Sequence, residues 1–335
     1  MAAIPTLASI SDALQDCGDS HASQWLRYLH RTADLVNLSF STERESMFNH
    51  VLRDHGVVSG MPYLTFECLS APAAQKPFCD PRMDNTIKLR ALYLGQCVHS
   101  VILSTPLLTY LSNDCGFRIC EYDIHVSPKV ATWCTNKKEY NNWPLHSVLF
   151  LAPSFLPTTA TASDPFKDPG MILDPSSSQM GFEETISCAK KYFRDKFESF
   201  EGHSSRPLGS HLSRFKADLL TSPSSMHDHY AQFRQEISLR AICNVLYEEV
   251  EQRMGGAKAV INLEEPEWKR FLEALGLRLE HEMGQLRTQL DNIEFAGCEE
   301  DMEYRGRQLM SQYDKEGYRN MIAPVPGVIL SSDRR

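Results

Sequence analysis

Between Trp268 and Ile293, apolar side chains return at helical spacing over a long run, and this constrains the fold more than any other feature of the chain. Trp268, Phe271, Leu275, Leu279, Met283, Leu286, Leu290 and Ile293 step by three or four residues. At about 3.6 residues per turn they share one stripe of a long helix. Glu273, Arg278, Glu280, Arg287 and Asp291 fill the opposite face, and Asn262, Glu265 and Pro266 supply a helix start. The stripe has two readings. It packs inside a helical bundle, or its apolar residues Trp268, Phe271, Leu275, Leu279, Met283 and Leu286 form a surface for a partner helix or a second copy of the chain.

The same periodicity recurs elsewhere. Trp25, Leu29, Ala33 and Val36 mark an early helix. Thr42 and Glu45 read as a capping box ahead of Met47, Phe48, Val51 and Leu52. An apolar helix is expected from about Thr86, kinked or ended at Pro106. Its stretch Ala91–Leu111 carries no formal charge and approaches the roughly 20 residues a bilayer requires. Gln96, His99 and several Ser, Thr and Pro positions favour a core helix over a membrane span. Phe182, Ile186, Ala189, Phe193, Phe197 and Phe200 predict a further amphipathic helix. Phe233, Ile237, Ile242, Leu246 and Val250 predict another, stopped near Gly255-Gly256, and Met302, Leu309, Met310 and Tyr313 a last one.

Near the middle the period changes to two. Cys120, Tyr122, Ile124 and Val126 alternate with Glu121, Asp123 and His125, as in a half-buried strand. Lys129–Cys134 and Leu145–Ala152 are candidate neighbours. The expected class is therefore α+β and mainly helical. A small antiparallel sheet near residues 117–152 packs on helices, followed by a C-terminal helical bundle. Pro, Ser and Thr dominate 153–180, which reads as a linker or loop. The expected organisation is a helical region with a small sheet (1–152), that linker (153–180), a bundle (181–322) and a tail (323–335).

Hydrophobic residues make up 42% of the chain, enough for a real core, and the formal net charge is −9. An acidic balance disfavours non-specific binding to a phosphate backbone, although a nucleic-acid-coating role stays open as an alternative. The start of the chain has neither the basic nor the continuous apolar segment of a signal peptide. The expectation is an intracellular, cytoplasmic protein whose ten cysteines are reduced.

No phosphate loop, dinucleotide glycine pattern, G-x-S-x-G elbow or CxxC pair is present. His281-Glu282 begins like a zinc-protease motif, but Gln285 stands where the second His is needed. Four constellations are left. Glu121, Asp123 and His125 share a strand face at roughly 7 Å intervals. They are candidate catalytic residues that could ligate a divalent metal or share acid–base work, unless the face is a solvated edge. His227 and His229 flank Asp228 and are candidate metal ligands, although on a helix they point about 200° apart. Cys115, Cys120, His125 and Cys134 loosely resemble a zinc set, but period two sends Cys120 and His125 to opposite faces. Glu299, Glu300, Asp301 and Glu303 could hold magnesium, or simply favour a helix start.

The leading functional expectation is a protein-interaction or assembly protein, binding a protein partner or forming a homo-oligomer. The alternatives are a metal-dependent enzyme using Glu121, Asp123 and His125 on a small molecule, and a nucleic-acid-coating protein.

Overall fold

The computed structural model describes residues 19–47, 50–58, 61–68, 83–93, 96–127, 145–154, 170–220, 226–296 and 299–325. Helix α1 (Asp19–Met47) is followed by an antiparallel hairpin of β1 (His50–Val58) and β2 (Met61–Cys68). Helices α2 (Asn85–Tyr93) and α3 (Cys97–Cys115) precede β3 (Phe117–Val126) and β4 (Leu145–Pro153). Then come β5 (Met171–Leu173), a 3-10 turn (Ser177–Met180), β6 (Ile186–Cys188), α4 (Ala189–Lys196) and β7 (Phe197–Pro207). The remainder is helical: α5 (Ser210–Leu220), α6 (Met226–Tyr247), a π-helical turn (Glu248–Arg253) and α7 (Ala257–Ile261). Helices α8 (Glu265–Ala296), α9 (Glu299–Gln312) and α10 (Glu316–Ile322) complete it. The class is α+β and mainly helical, as the periodicities predict.

The long stripe forms α8, and its side chains are buried, from Trp268 at 3% exposure to Leu279, Met283 and Leu286 at 0%. Much of its cover is α1. Trp268 Nε1 donates to Asp34 Oδ2 at 3.2 Å, and the Arg31 guanidinium lies 4.9 Å from the Trp268 ring centre. Arg31 also donates to the carbonyls of Ile261 and Leu263, closing the end of α7. Burying a side chain of this size stabilises by about 1.5–3 kcal/mol. Turning the whole stripe outward would exceed a domain's usual net stability of about 5–15 kcal/mol. Packing inside the chain is therefore the arrangement of Trp268, Phe271, Leu275, Leu279, Met283 and Leu286, in place of an open partner surface.

The main sheet runs β6-β5-β4-β3-β7 with antiparallel neighbours throughout. Alternation divides its two faces. Phe117, Ile119, Leu149, Leu151, Met171 and Leu173 join the helical core, whereas Tyr122, Ile124, Val148, Phe150 and Ile172 pack against Phe182, Tyr192 and Phe193. Both sides of the expected 153–180 linker thus contribute to one sheet and one core, and 170–180 carries β5 and the 3-10 turn. Val325, inside the expected tail, is buried as well.

Several local readings are corrected. The stripe from Phe182 to Phe200 is no single helix but β6, α4 and the start of β7, because the outer side of β3 takes a strand partner there. Thr42 lies inside α1 rather than at a cap, and Val51 and Leu52 belong to β1, whose branched residues suit a strand. The apolar helix is two helices, broken between Tyr93 and Cys97, while Pro106 sits within α3. The proposed strand Lys129–Cys134 lies outside the described residues. Among the described residues, no helix is long and apolar enough to cross a membrane.

Where α10 meets α6 the backbones touch. A Cβ at Gly317 would stand 2.9 Å from Asn244 Cα and 3.0 Å from Tyr247 Cβ, and neither neighbour can swing aside. Gly317→Ala should destabilise by about 1–3 kcal/mol, read as a lower urea midpoint with unchanged slope. A midpoint equal to wild type would mean that α10 docks loosely.

Candidate functional site

The break between α2 and α3 creates the site. Helix α1 enforces it. Arg44 Nε donates to the Leu92 carbonyl at 3.0 Å near the end of α2, and Glu43 pairs with His99 Nε2 at 3.3 Å in the first turn of α3. Phe40 packs against Tyr93 with ring centres 4.8 Å apart. Cys97 therefore opens a helix of its own. The first regular hydrogen bond of that helix runs from Ser100 N to Gln96 O, which leaves the preceding N–H groups without an intrahelical acceptor.

His146 and Asp174 face this cysteine. His146 is the second residue of β4, and Asp174 directly follows the adjacent strand β5. His146 Nε2 lies 2.8 Å from Asp174 Oδ2, with both side chains at most 1% exposed. Tyr192 Oη donates to the same carboxylate oxygen at 2.9 Å. Ser176 Oγ donates to Asp174 Oδ1 at 3.4 Å, and the Gln179 amide touches both Ser176 Oγ and His146 Nδ1.

The electrostatics match this geometry. Burial alone would push the Cys97 thiol up. The His146 hydrogen bond and charge, together with the N–H groups of Ser147 and Val98, instead bring it below the ordinary thiol value. Burial also opposes protonation of His146, but the Asp174 carboxylate and then Cys97 raise it to about 10. Both shifts favour the form in which a thiolate faces an imidazolium. Burial, then Asp174, raises the Tyr192 phenol well above its usual value, so it remains a neutral donor. Cys97 itself is partly exposed. Val98 and Leu145, beside Cys97 and His146 in sequence, are two of the few exposed large apolar residues among those described.

A second polar cluster lies on the other face of the sheet. Glu121 and Asp123 are 1% and 6% exposed on the inner strand β3, so the expected solvated edge is corrected: β4 and β7 flank it. Glu121 accepts hydrogen bonds from the N–H groups of Gly209 and His211 at 2.7 and 2.9 Å and caps α5. Burial, outweighing these donors, raises its pKa. Asp123 accepts from Ser147 Oγ at 2.6 Å, meets His211 Nε2 at 2.9 Å and pairs with Arg206 at 2.9 Å. Burial would raise the Asp123 pKa, but these partners hold it below the usual carboxylate range. His125 is half-buried two residues beyond Asp123 on β3.

The structure therefore joins Glu121 and Asp123 through His211, whose N–H meets one carboxylate and whose ring meets the other. Among the described residues, no group of three or more His, Cys, Asp or Glu side chains is arranged to hold a metal ion. His227 and His229 lie on the first turn of α6, and their side chains fall outside the described set, as do Cys134 and the side chain of Cys115. The Cys97–His146–Asp174 constellation is not among the sequence candidates. Its only local signal is Gly95 before Cys97, which punctuates the apolar run and can start a new helix there.

Compared with known proteins, the chain matches no family model, no curated sequence and no solved structure.

Proposed function

We propose that this chain is a cysteine-nucleophile enzyme of acyl transfer, acting on an amide, ester or thioester. The observation that carries this reading is the placement of a partly exposed thiol at a helix start, hydrogen-bonded to a buried imidazole that is itself held by a buried carboxylate. The Cys97 thiolate attacks the carbonyl carbon, an S–C bond forms, and the carbonyl π pair moves onto oxygen. N–H groups at the start of α3, ahead of its first intrahelical bond, can receive that charge. Collapse breaks the bond to the leaving group, which takes the proton from His146. Water or an amine then gives its proton to His146 and attacks the thioester, and the S–C bond breaks to restore the thiolate. Asp174 keeps the ring oriented and stabilises its charge throughout.

p-Nitrophenyl acetate tests the first half-reaction directly. Mass spectrometry after brief mixing should find one acetyl group on Cys97, and Cys97→Ala should carry none there. Acetyl groups spread evenly over several cysteines, with none favoured, would sink the proposal.

The assembly reading remains a separate proposal, without the α8 stripe as its surface. Light scattering tests it, and a strictly monomeric chain would count against it. The metal-dependent reading has less support, because Glu121 and Asp123 already direct their oxygens at protein donors.

A further inference from the structure

Ser147 belongs to both polar clusters. Its N–H is among the groups that lower the Cys97 thiol, and its hydroxyl donates to Asp123 Oδ1 at 2.6 Å. In register, Asp123 and Ser147 are direct cross-strand partners. Residues His146 and Ser147 of β4 are thus gripped by a carboxylate on each face: Asp174 takes His146 and Asp123 takes Ser147. Asp123 is itself immobilised. His211 Nε2 and Arg206 Nη1 fix its two oxygens, and His211 is placed by Glu121, which accepts the N–H groups of Gly209 and His211.

Such a cluster is a costly way to fill a sheet face. Buried ion pairs are often no better for stability than apolar residues of similar volume, and Ile119 and Leu149 pack the neighbouring positions of this same face. What the polar cluster supplies beyond packing is orientation.

We infer that Asp123 is a positioning residue for the nucleophile: by anchoring the Ser147 hydroxyl it keeps the Ser147 peptide N–H aimed at the Cys97 sulfur. The inference rests on Cys97 being the nucleophile. Hydrogen bonds to a charged acceptor are roughly twice as strong as neutral ones. Losing this one should leave the thiolate less stabilised while the His146–Asp174 pair stays in place.

Site-resolved alkylation of Cys97 by iodoacetamide over a pH series tests this, beside thermal melting. Asp123→Ala should raise the apparent thiol pKa by about one unit and, at pH values below the wild-type thiol pKa, slow acetylation about tenfold. Asp123→Asn removes the charge that pairs with Arg206 but keeps an oxygen for the Ser147 hydroxyl. It should melt lower than wild type yet titrate within about 0.3 unit of it. A purely structural role would lower both melting temperatures and leave both titrations unmoved, which overturns the proposal; so does an Asn variant shifted as far as Ala. If Asp123→Ala does not fold, Ser147→Ala removes only the hydroxyl and decides by the same criterion. A wild-type Cys97 that titrates as an ordinary thiol brings down the acyl-transfer reading and this inference together. A low wild-type value with no variant shift brings down this inference alone.

Discussion

His146→Ala should slow acetylation of Cys97 by about 100- to 10,000-fold, the range over which a positioned acid–base group normally acts. Two losses combine. The thiol loses the imidazolium that draws its pKa down, and the leaving group loses its proton donor. Asp174→Asn should show a smaller fall, because an amide can still hold the ring but no longer stabilises its charge. The pH profile follows from the same pair. Acylation needs the thiolate and the imidazolium together, so the rate should be highest between the two values. It should fall as pH drops through the lowered Cys97 value, and again as pH rises through about 10, where His146 loses its proton. Stability carries a matching signature. A histidine whose pKa is raised on folding stabilises fully below its ordinary 6.5, and that contribution disappears as pH climbs through about 10. The melting difference between wild type and His146→Ala should therefore shrink at alkaline pH. An unchanged acylation rate in His146→Ala would remove the imidazole from the mechanism.

That this site was hard to read beforehand has a physical reason. Helix α8 was legible because a stripe of eight buried positions repeats one local rule, and β3 and β4 were legible because alternation is equally local. Cys97, His146 and Asp174 obey no common period. They meet only once β4 pairs with β5 and α3 begins afresh after Tyr93. The helix break is obscured because no formal charge marks it within Ala91–Leu111. Glu121 and Asp123 were legible as chemistry-bearing residues, yet their partners were not. His125 shares their strand face, whereas His211 comes from α5, and only the folded chain sets it against Asp123. Strands β5 and β6 escape the sequence for a related reason: they are three residues each, too short for any pattern to rise above the Pro, Ser and Thr around them. The stripe through Phe193 was real but reported one short helix, α4, flanked by strands.

Glu236→Ala should cost about 3–5 kcal/mol of stability, the largest loss expected of any single change away from the triad. Glu236 is fully buried on α6 and gathers charge and hydroxyl from three elements. Lys216 of α5 pairs with its Oε2, Arg240 Nε reaches Oε1 at 2.6 Å, and Tyr318 Oη of α10 donates to Oε1 at 3.0 Å. Lys216 also donates to Tyr318 Oη, and Arg240 Nη1 to the Met310 carbonyl of α9 at 2.9 Å. Removing the carboxylate leaves two nearly buried cations facing each other across an apolar gap, which is far worse than removing all the charges together. Replacing Lys216, Glu236 and Arg240 jointly by Met and Leu should thus recover most of the loss. Burial alone would raise the Glu236 pKa, but Lys216 and Arg240 hold it below 4.5. A carboxylate lowered on folding stabilises above its ordinary value, and that contribution is lost as pH falls through the lowered one. Acid should therefore narrow the gap between wild type and Glu236→Ala in urea midpoints. The same network anchors α5 from its middle, whereas Glu121 anchors its start. Under conditions where Glu236→Ala remains folded, that start stays capped, so the Cys97 titration should match wild type. A Glu236→Ala chain within about 1 kcal/mol of wild type would show that the two cations relax into water, and that α5 and α10 are held by apolar packing alone.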